Sequence, residues 1–290
     1  MIGKILAPVF DVAEDRWTLT LSAEIAKYFH AHIEVVNTAA SAGGEPPHGG
    51  RESESLRSIG IAPTGVASTP ATEPNSRLRD IFDEWLRQQG LQEQPQCLHH
   101  GLASASWVTL NTRSDSGLLR RAQLADLVCL TVSRGEEKGP LSPAIESIAF
   151  CSGRPILVLP ATQDSDVKPL IGEPIVVGWS GSAEAVHALT FALPFLRVST
   201  RIEVISIGEE AVNAMGAYEV AKYLAWHGIH ARASGIGLED WTGADVVDIA
   251  LERKARLLVM GAHRHYDKDF CRNATRHVLD QMPMPVIMAA

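Results

Sequence analysis

The residues best suited to chemistry lie between Leu257 and Ala290. Gly261 ends the apolar run Leu257-Leu258-Val259-Met260, and a polar, basic loop from Ala262 to Asn273 leads into a helix-like segment from Thr275 to Gln281. Pro285-Val286-Ile287-Met288 then forms a second buried-strand run. Strand, glycine turn, helix, strand is the pattern of a parallel sheet that presents a helix N-terminus, with its unpaired N–H groups and partial positive charge, to an anion. From Gly261 to His277 the cations Arg264, Lys268, Arg272 and Arg276 outnumber Asp267 and Asp269. Two readings follow: an anion-holding loop, or a solvated loop whose charges serve solubility.

Other reactive side chains crowd the same stretch. His263, His265, Cys271 and His277 lack the pair spacing of zinc ligands, so no metal site is expected. Cys271 lies among cations that would favour its thiolate, although an inert cysteine is the simpler reading. No nucleophile, base and orienting group fall where a fold would join them, so no catalytic residues are assigned. His99-His100 reads as a polar turn. Trp85, Trp107 and Trp226 fall on apolar faces and are read as core.

The elements that must position this loop occur twice. Lys4-Ile5-Leu6-Ala7-Pro8-Val9 and Pro174-Ile175-Val176-Val177-Gly178-Trp179 are continuous apolar strands of the kind buried on both faces of a parallel sheet. Helical spacing follows each: Trp17, Leu21, Ile25 and Tyr28 in the first half, Val186, Leu189, Leu193 and Leu196 in the second. Ser182 is placed to cap the latter helix, with Glu184 in its first turn. His32 to Val36 matches Arg201 to Ile205 as a second strand. Leu78, Ile81, Phe82, Trp85 and Leu86 form a stripe ending at Gly90, and Val220, Leu224 and Trp226 one ending at Gly228. Trp107 to Leu110 and His230 to Ser234 read as third strands. Leu127 to Val132 matches Leu257 to Gly261, and Pro155 to Leu159 matches Pro285 to Ala289. Each half reads βαβαβαβαβ, and helix-linked strands of this kind make a right-handed parallel sheet.

Aligned on Ile33 and Ile202, then Gly90 and Gly228, then Pro155 and Pro285, the offset between the halves falls from 169 to 138 to 130. The first half therefore carries extra residues in a Gly-, Ser- and Pro-rich excursion, 37–76, whose composition suits a long surface loop better than a core. The expected division is 1–160, a linker at 161–173, and 174–290.

Bulk properties fit. With 290 residues, two domains can each bury a core, and 46 % apolar against 21 % charged residues is an ordinary globular balance. The formal charge of −8 gives no reason to expect nucleic acid or an anionic membrane as a partner. Met1 to Leu6 runs directly into a strand, no apolar run reaches spanning length, and the four cysteines show no CxxC spacing, so a reduced cytoplasmic protein is expected.

Three passages carry a resemblance. Ala23 to His32 resembles the first-helix-to-second-strand passage of the universal stress protein family, and Val177-Gly178-Trp179-Ser180-Gly181-Ser182-Ala183-Glu184-Ala185 resembles its first strand and turn. Leu257 to His263, with Met284 to Met288, resembles its end. The chain is thus similar to a tandem, two-domain universal stress protein over nearly its whole length outside 37–76. The resemblance implies two tandem open parallel-sheet, Rossmann-like α/β domains with helices on both faces, paired through their last strands as an intramolecular pseudo-dimer. A homodimer of such chains stays open. It also implies a role in stress physiology rather than a known catalytic reaction.

Members of that family that bind ATP carry Gly-x2-Gly-x9-Gly-Ser/Thr after the fourth strand, where glycines let backbone N–H groups approach phosphate and the hydroxyl completes the anion site. In the second half Gly261 holds the first position, Arg264 replaces the second glycine, Ala274 the third, and Thr275 supplies the hydroxyl. Arg264 either blocks the cradle or gives a guanidinium to a phosphate. In the first half Val132, Gly135, Ala144 and Ile145 stand at these positions with one residue missing, and Glu136, Glu137 and Glu146 face Arg134 and Lys138. No nucleotide site is expected there. The family's Asp closing the first strand is Phe10 here, with Asp11 next, and Ser180 in the second half. The leading expectation is a non-enzymatic stress protein with a degenerate nucleotide motif, acting through protein partners or a different small ligand. The alternative is a regulator binding ATP or another adenine nucleotide at one second-half site made by Ser180, Gly261, Arg264, Ala274 and Thr275. A nucleotide hydrolase rests on fold analogy alone.

Overall fold

A computed structural model describes residues 2–10, 15–38, 73–94, 101–110, 115–132, 143–160, 169–208, 216–239, 241–262, 275, 278–279 and 283–290. The first half runs β1 (Lys4–Val9), α1 (Asp15–Phe29), β2 (His32–Asn37), α2 (Glu73–Gln89), β3 (Gln92–Glu93), β4 (Ser104–Thr109), α3 (Asp115–Gln123), β5 (Leu127–Val132), α4 (Pro143–Cys151) and β6 (Ile156–Pro160). The second runs β7 (Ile175–Gly178), α5 (Ala183–Leu196), β8 (Ile202–Ile207), α6 (Gly216–Trp226), β9 (Arg232–Ile236), α7 (Gly243–Glu252), β10 (Leu257–Gly261) and β11 (Val286–Ala289).

These strands make one 11-stranded sheet in the order β3-β4-β2-β1-β5-β6-β11-β10-β7-β8-β9. Within each half every pairing is parallel. The halves meet where β6 pairs antiparallel with β11, Val158 opposite Val286 and Leu157 opposite Ile287. The order β4-β2-β1-β5-β6 is therefore repeated in reverse as β11-β10-β7-β8-β9, and the pairing through the last strands expected from the resemblance is present.

Strand side chains alternate between faces, so the apolar runs feed two cores. Ile5, Ala7 and Val9 of β1 join the core under α1, α2, α5 and α6. Leu6 joins the opposite core, under α3, α4 and α7. Phe82, Trp85 and Leu86 fill the first core beside β2 and β4, while Ala188, Leu189, Ala192, Phe195 and Leu196 of α5 fill its second-half counterpart. Each leucine or phenylalanine among them, taken fully from water, contributes about 1.5–3 kcal/mol before entropy is counted. Gly90 and Gly228 follow the helices α2 and α6 at φ +63° and +72°, the left-handed stop that glycine adopts without strain.

The second strand of each half also holds a paired carboxylate. Glu34 of β2 pairs with Lys4 and Arg121, both at 3.0 Å. Its counterpart Glu203 of β8 pairs with Arg253 at 3.2 Å and accepts from Ser234 Oγ at 2.8 Å. The duplication thus reaches the treatment of a nearly buried carboxylate.

Several expectations are corrected. Trp226, read as core, is 88 % exposed. The buried face of α6 is Ala217, Val220 and Leu224, and two residues beyond Leu224 is about 200° around a helix. Val186 is likewise exposed, because α5 buries Ala185, Ala188 and Leu189 instead. The third strands are Ser104–Thr109 and Arg232–Ile236, each offset from the stretch expected. The two-residue β3 was not expected. Helix α2 begins at Glu73, inside the stretch assigned to the excursion, whose residues 39–72 lie outside those described.

Candidate functional site

In the second half the chain leaves β7 toward β8 on one side and returns as β10 on the other, so the strand order reverses between β7 and β10. Open parallel sheets bind ligands outside the carboxyl ends of the strands at such a reversal. The carboxyl ends here are Gly178 and Gly261, and the turn Trp179-Ser180-Gly181-Ser182 bridges from β7 into α5. Ser182 caps α5: its backbone is extended and its Oγ accepts from the Ala185 N–H at 3.2 Å. Ser180 is exposed and its Oγ donates to Ser182 Oγ at 3.2 Å. Its hydroxyl therefore steadies the cap.

Gly261 is needed for a different reason. A β-carbon at this position would stand 2.6 Å from the Ala185 nitrogen and 2.8 Å from the Glu184 carbonyl carbon. The first turn of α5 lies directly on the end of β10, and only glycine leaves room for it. Thr275 is helical, 3 % exposed and has a partner within the protein. Arg264 and Ala274 lie outside the described residues, as do Cys271, His263, His265 and His277. As a test of fit to a nucleotide, the three described candidates Ser180, Gly261 and Thr275 are each engaged by the protein's own atoms. A phosphate is not needed to account for Gly261, whose place is set by the close approach of α5.

The first half differs at the same place. Phe10 presents its backbone N–H to the carboxylate of Asp15, 3.2 and 3.0 Å from the two oxygens. Asp15 is buried in the first turn of α1, so a side chain already supplies negative charge at that helix N-terminus. Thr18 and Thr131 close the gap between α1 and β5 with a 2.9 Å hydroxyl contact. Val132 pairs with Pro160 in the ladder. Asp11 and Gly135 fall outside the described residues, and Ala144 and Ile145 belong to α4.

Three residues at the crevice were not singled out from sequence. Trp179 follows β7, Ser206 lies near the end of β8, and Gly216 opens α6. A β-carbon on Gly216 would stand 3.3 Å from Trp179 Cδ1, 3.5 Å from Trp179 Nε1 and 3.4 Å from Ser206 Oγ. The one sequence signal was a serine at alternating spacing with Ile202 and Val204.

Two further polar sites lie in the first half. His32 is buried, with Nδ1 2.9 Å from Ser104 Oγ and Nε2 2.9 Å from Ser106 Oγ. Burial pushes its pKa below the usual 6.5, aided by the Lys4 cation and opposed by Glu34. Burial pushes the Cys129 thiol up to about 12, with the Ser22 hydroxyl working against it. Among the described residues no group of three His, Cys, Asp or Glu could hold a metal ion, and no helix is long and apolar enough to cross a membrane.

No family model matches the chain, and no curated protein does. Solved structures do. A universal stress protein from Archaeoglobus fulgidus superposes with a TM-score of 0.64 at 13 % identity, covering 98 % of this chain and 97 % of its own. A protein described as a putative universal stress protein from Pseudomonas aeruginosa gives 0.58 at 16 % identity, covering 99 % and 92 %. The cytoplasmic domain of a prokaryotic cation chloride cotransporter gives 0.52 at 11 %, covering 99 % and 95 %. The chain has the Rossmann-like α/β fold of universal stress protein structures, matched over both halves. The third likeness shows the same architecture in a transport protein, so fold alone does not assign the role.

Proposed function

We propose that this protein is a non-enzymatic tandem universal stress protein with a degenerate nucleotide motif, two units at 1–160 and 174–290, that acts in the cytoplasm through a protein partner. The observation that supports this most is the contact between Gly261 and Ala185. The one motif glycine retained in the second half is required by helix packing, so its presence gives no support for a phosphate cradle. Arg264 and Ala274 bring side chains to the other two glycine positions, and the first half has Val132, Ala144 and Ile145. The test is isothermal titration of nucleotide-stripped protein with ATP, with and without magnesium. The proposal expects no binding heat and an unchanged melting temperature at millimolar ATP. One-site binding at micromolar affinity overturns it.

A second reading, a regulator with one nucleotide site in the second half, is favoured by the position of Ser180 and Gly261 at the strand-order reversal. It requires Arg264 and Thr275 to touch phosphate. Thr275→Ala must then weaken ATP affinity, and unchanged affinity rejects the assigned site.

A further inference from the structure

Among the described residues, Ser206 Oγ is a buried polar atom without a hydrogen-bond partner, in a residue 6 % exposed. Most buried polar groups are hydrogen-bonded, so one that is not calls for an explanation such as an ion, a ligand or a water. Ile202, Val204 and Ser206 share one face of β8, the face covered by α5 and α6, so the hydroxyl looks toward the start of α6. The Gly216 contacts place it there, with the indole nitrogen of Trp179 on the same spot. Helix α6 is 11 residues long, and the first N–H groups of such a helix have no partner within it.

We infer that Trp179, Ser206 and the first turn of α6 form a site for a small oxyanion, the phosphate or carboxylate group of a metabolite. The donor set decides the chemistry. An indole N–H gives and does not accept, helix-start N–H groups do the same, and a hydroxyl can donate as a third. The helix dipole adds partial positive charge at this point. Glu219 in the first turn of α6 opposes an anion, but its carboxylate is held by Lys222 at 2.7 Å. With Ile33 aligned on Ile202, the ladders Ile5–Ile33 and Ile175–Ile202 put Val9 opposite Trp179, and Asn37 falls opposite Ser206. Val9 has no side-chain N–H, and Asn37 is buried with a partner of its own, so the site belongs to the second half alone. It is built from β8, α6 and the residue after β7, not from Gly261 of β10, and stands whether or not ATP binds.

The test follows the indole N–H resonance of Trp179, identified by its loss in Trp179→Phe, while inorganic phosphate and, separately, acetate are added. Saturable movement of that resonance by one of the two is expected, and which one identifies the group. Ser206→Ala should weaken binding about tenfold, the effect of losing one hydrogen bond to a charged group. It should leave the melting temperature unchanged or higher, because the removed hydroxyl bonds nothing in the protein. The inference is overturned if neither anion shifts the resonance, or if Ser206→Ala binds as well as the natural protein. It is also overturned if adenosine alone shifts the resonance in a Ser206-dependent way, which would make this a site for a planar base.

Discussion

The rings of Phe29, at the end of α1, and Phe195, near the end of α5, meet edge to face with centroids 5.5 Å apart. This contact ties together the first helices of the two halves on one side of the sheet. Beside it, Glu24 of α1 accepts from the N–H groups of Leu170 and Ile171 at 2.8 and 2.9 Å, holding the approach to β7 against the first half.

Phe195→Ala removes a fully buried ring together with that edge contact, and should lower stability by about 3–5 kcal/mol. Urea unfolding followed by tryptophan fluorescence and by circular dichroism should still give coincident transitions. Two separate transitions in the natural protein would mean that the halves unfold independently and that this contact couples nothing.

Gly261→Ala should destabilise the protein by about 1–3 kcal/mol, since a methyl group cannot be placed 2.6 Å from a backbone nitrogen without moving α5 or β10. Chemical denaturation measures the loss. A change below about 0.5 kcal/mol, the range of ordinary surface substitutions, would show that the glycine is not there for packing.

Stability should fall on acidification through His32. Its folded pKa lies below 6.5, its unfolded value. Between the two the unfolded chain binds the proton and the folded one does not, so protonation favours unfolding. The neutral-form stability is complete above pH 6.5 and is lost as pH drops toward the folded value. The groups facing the ring are Ser104, Ser106, Glu34 and Lys4. Unfolding free energies measured from pH 8 to 5 should slope downward in the natural protein and less so in His32→Gln. Equal slopes would remove His32 as the cause.

Cys129 should resist alkylation at pH 8 in the folded protein, because burial holds its thiol protonated with a pKa of about 12. Cys151 is partly exposed and should react. Peptide mass spectrometry after iodoacetamide treatment separates the two. Labelling of Cys129 at the rate of Cys151 would show that the core opens more readily than its packing implies.

The strands were legible because they are buried on both faces: Leu127 to Val132 and Leu257 to Gly261 leave a continuous apolar trace. β3 leaves none, since Gln92 and Glu93 are exposed and join the sheet through backbone alone. β9 was shifted because it is an edge strand whose Ser234 serves Glu203 rather than a core. Trp226 misled because an aromatic residue two places beyond Leu224 looks apolar in a list yet lies on the far side of the helix. At the candidate site, the glycine of the β10 turn could be named from sequence. That its neighbour is Ala185, or that Trp179 and Ser206 converge on Gly216, depends on contacts between separate strands and helices, which local pattern does not encode.

The antiparallel seam between β6 and β11 has a consequence for how the protein behaves on dilution. Two separate chains joined through their last strands would come apart once their concentration fell below the dissociation constant. Here one backbone carries both strands, so each meets the other at a fixed effective concentration, on the order of millimolar for a short tether. The pairing therefore stays closed at any expression level, and the two halves can diverge in sequence, as Val9 and Trp179 have, without either losing its partner.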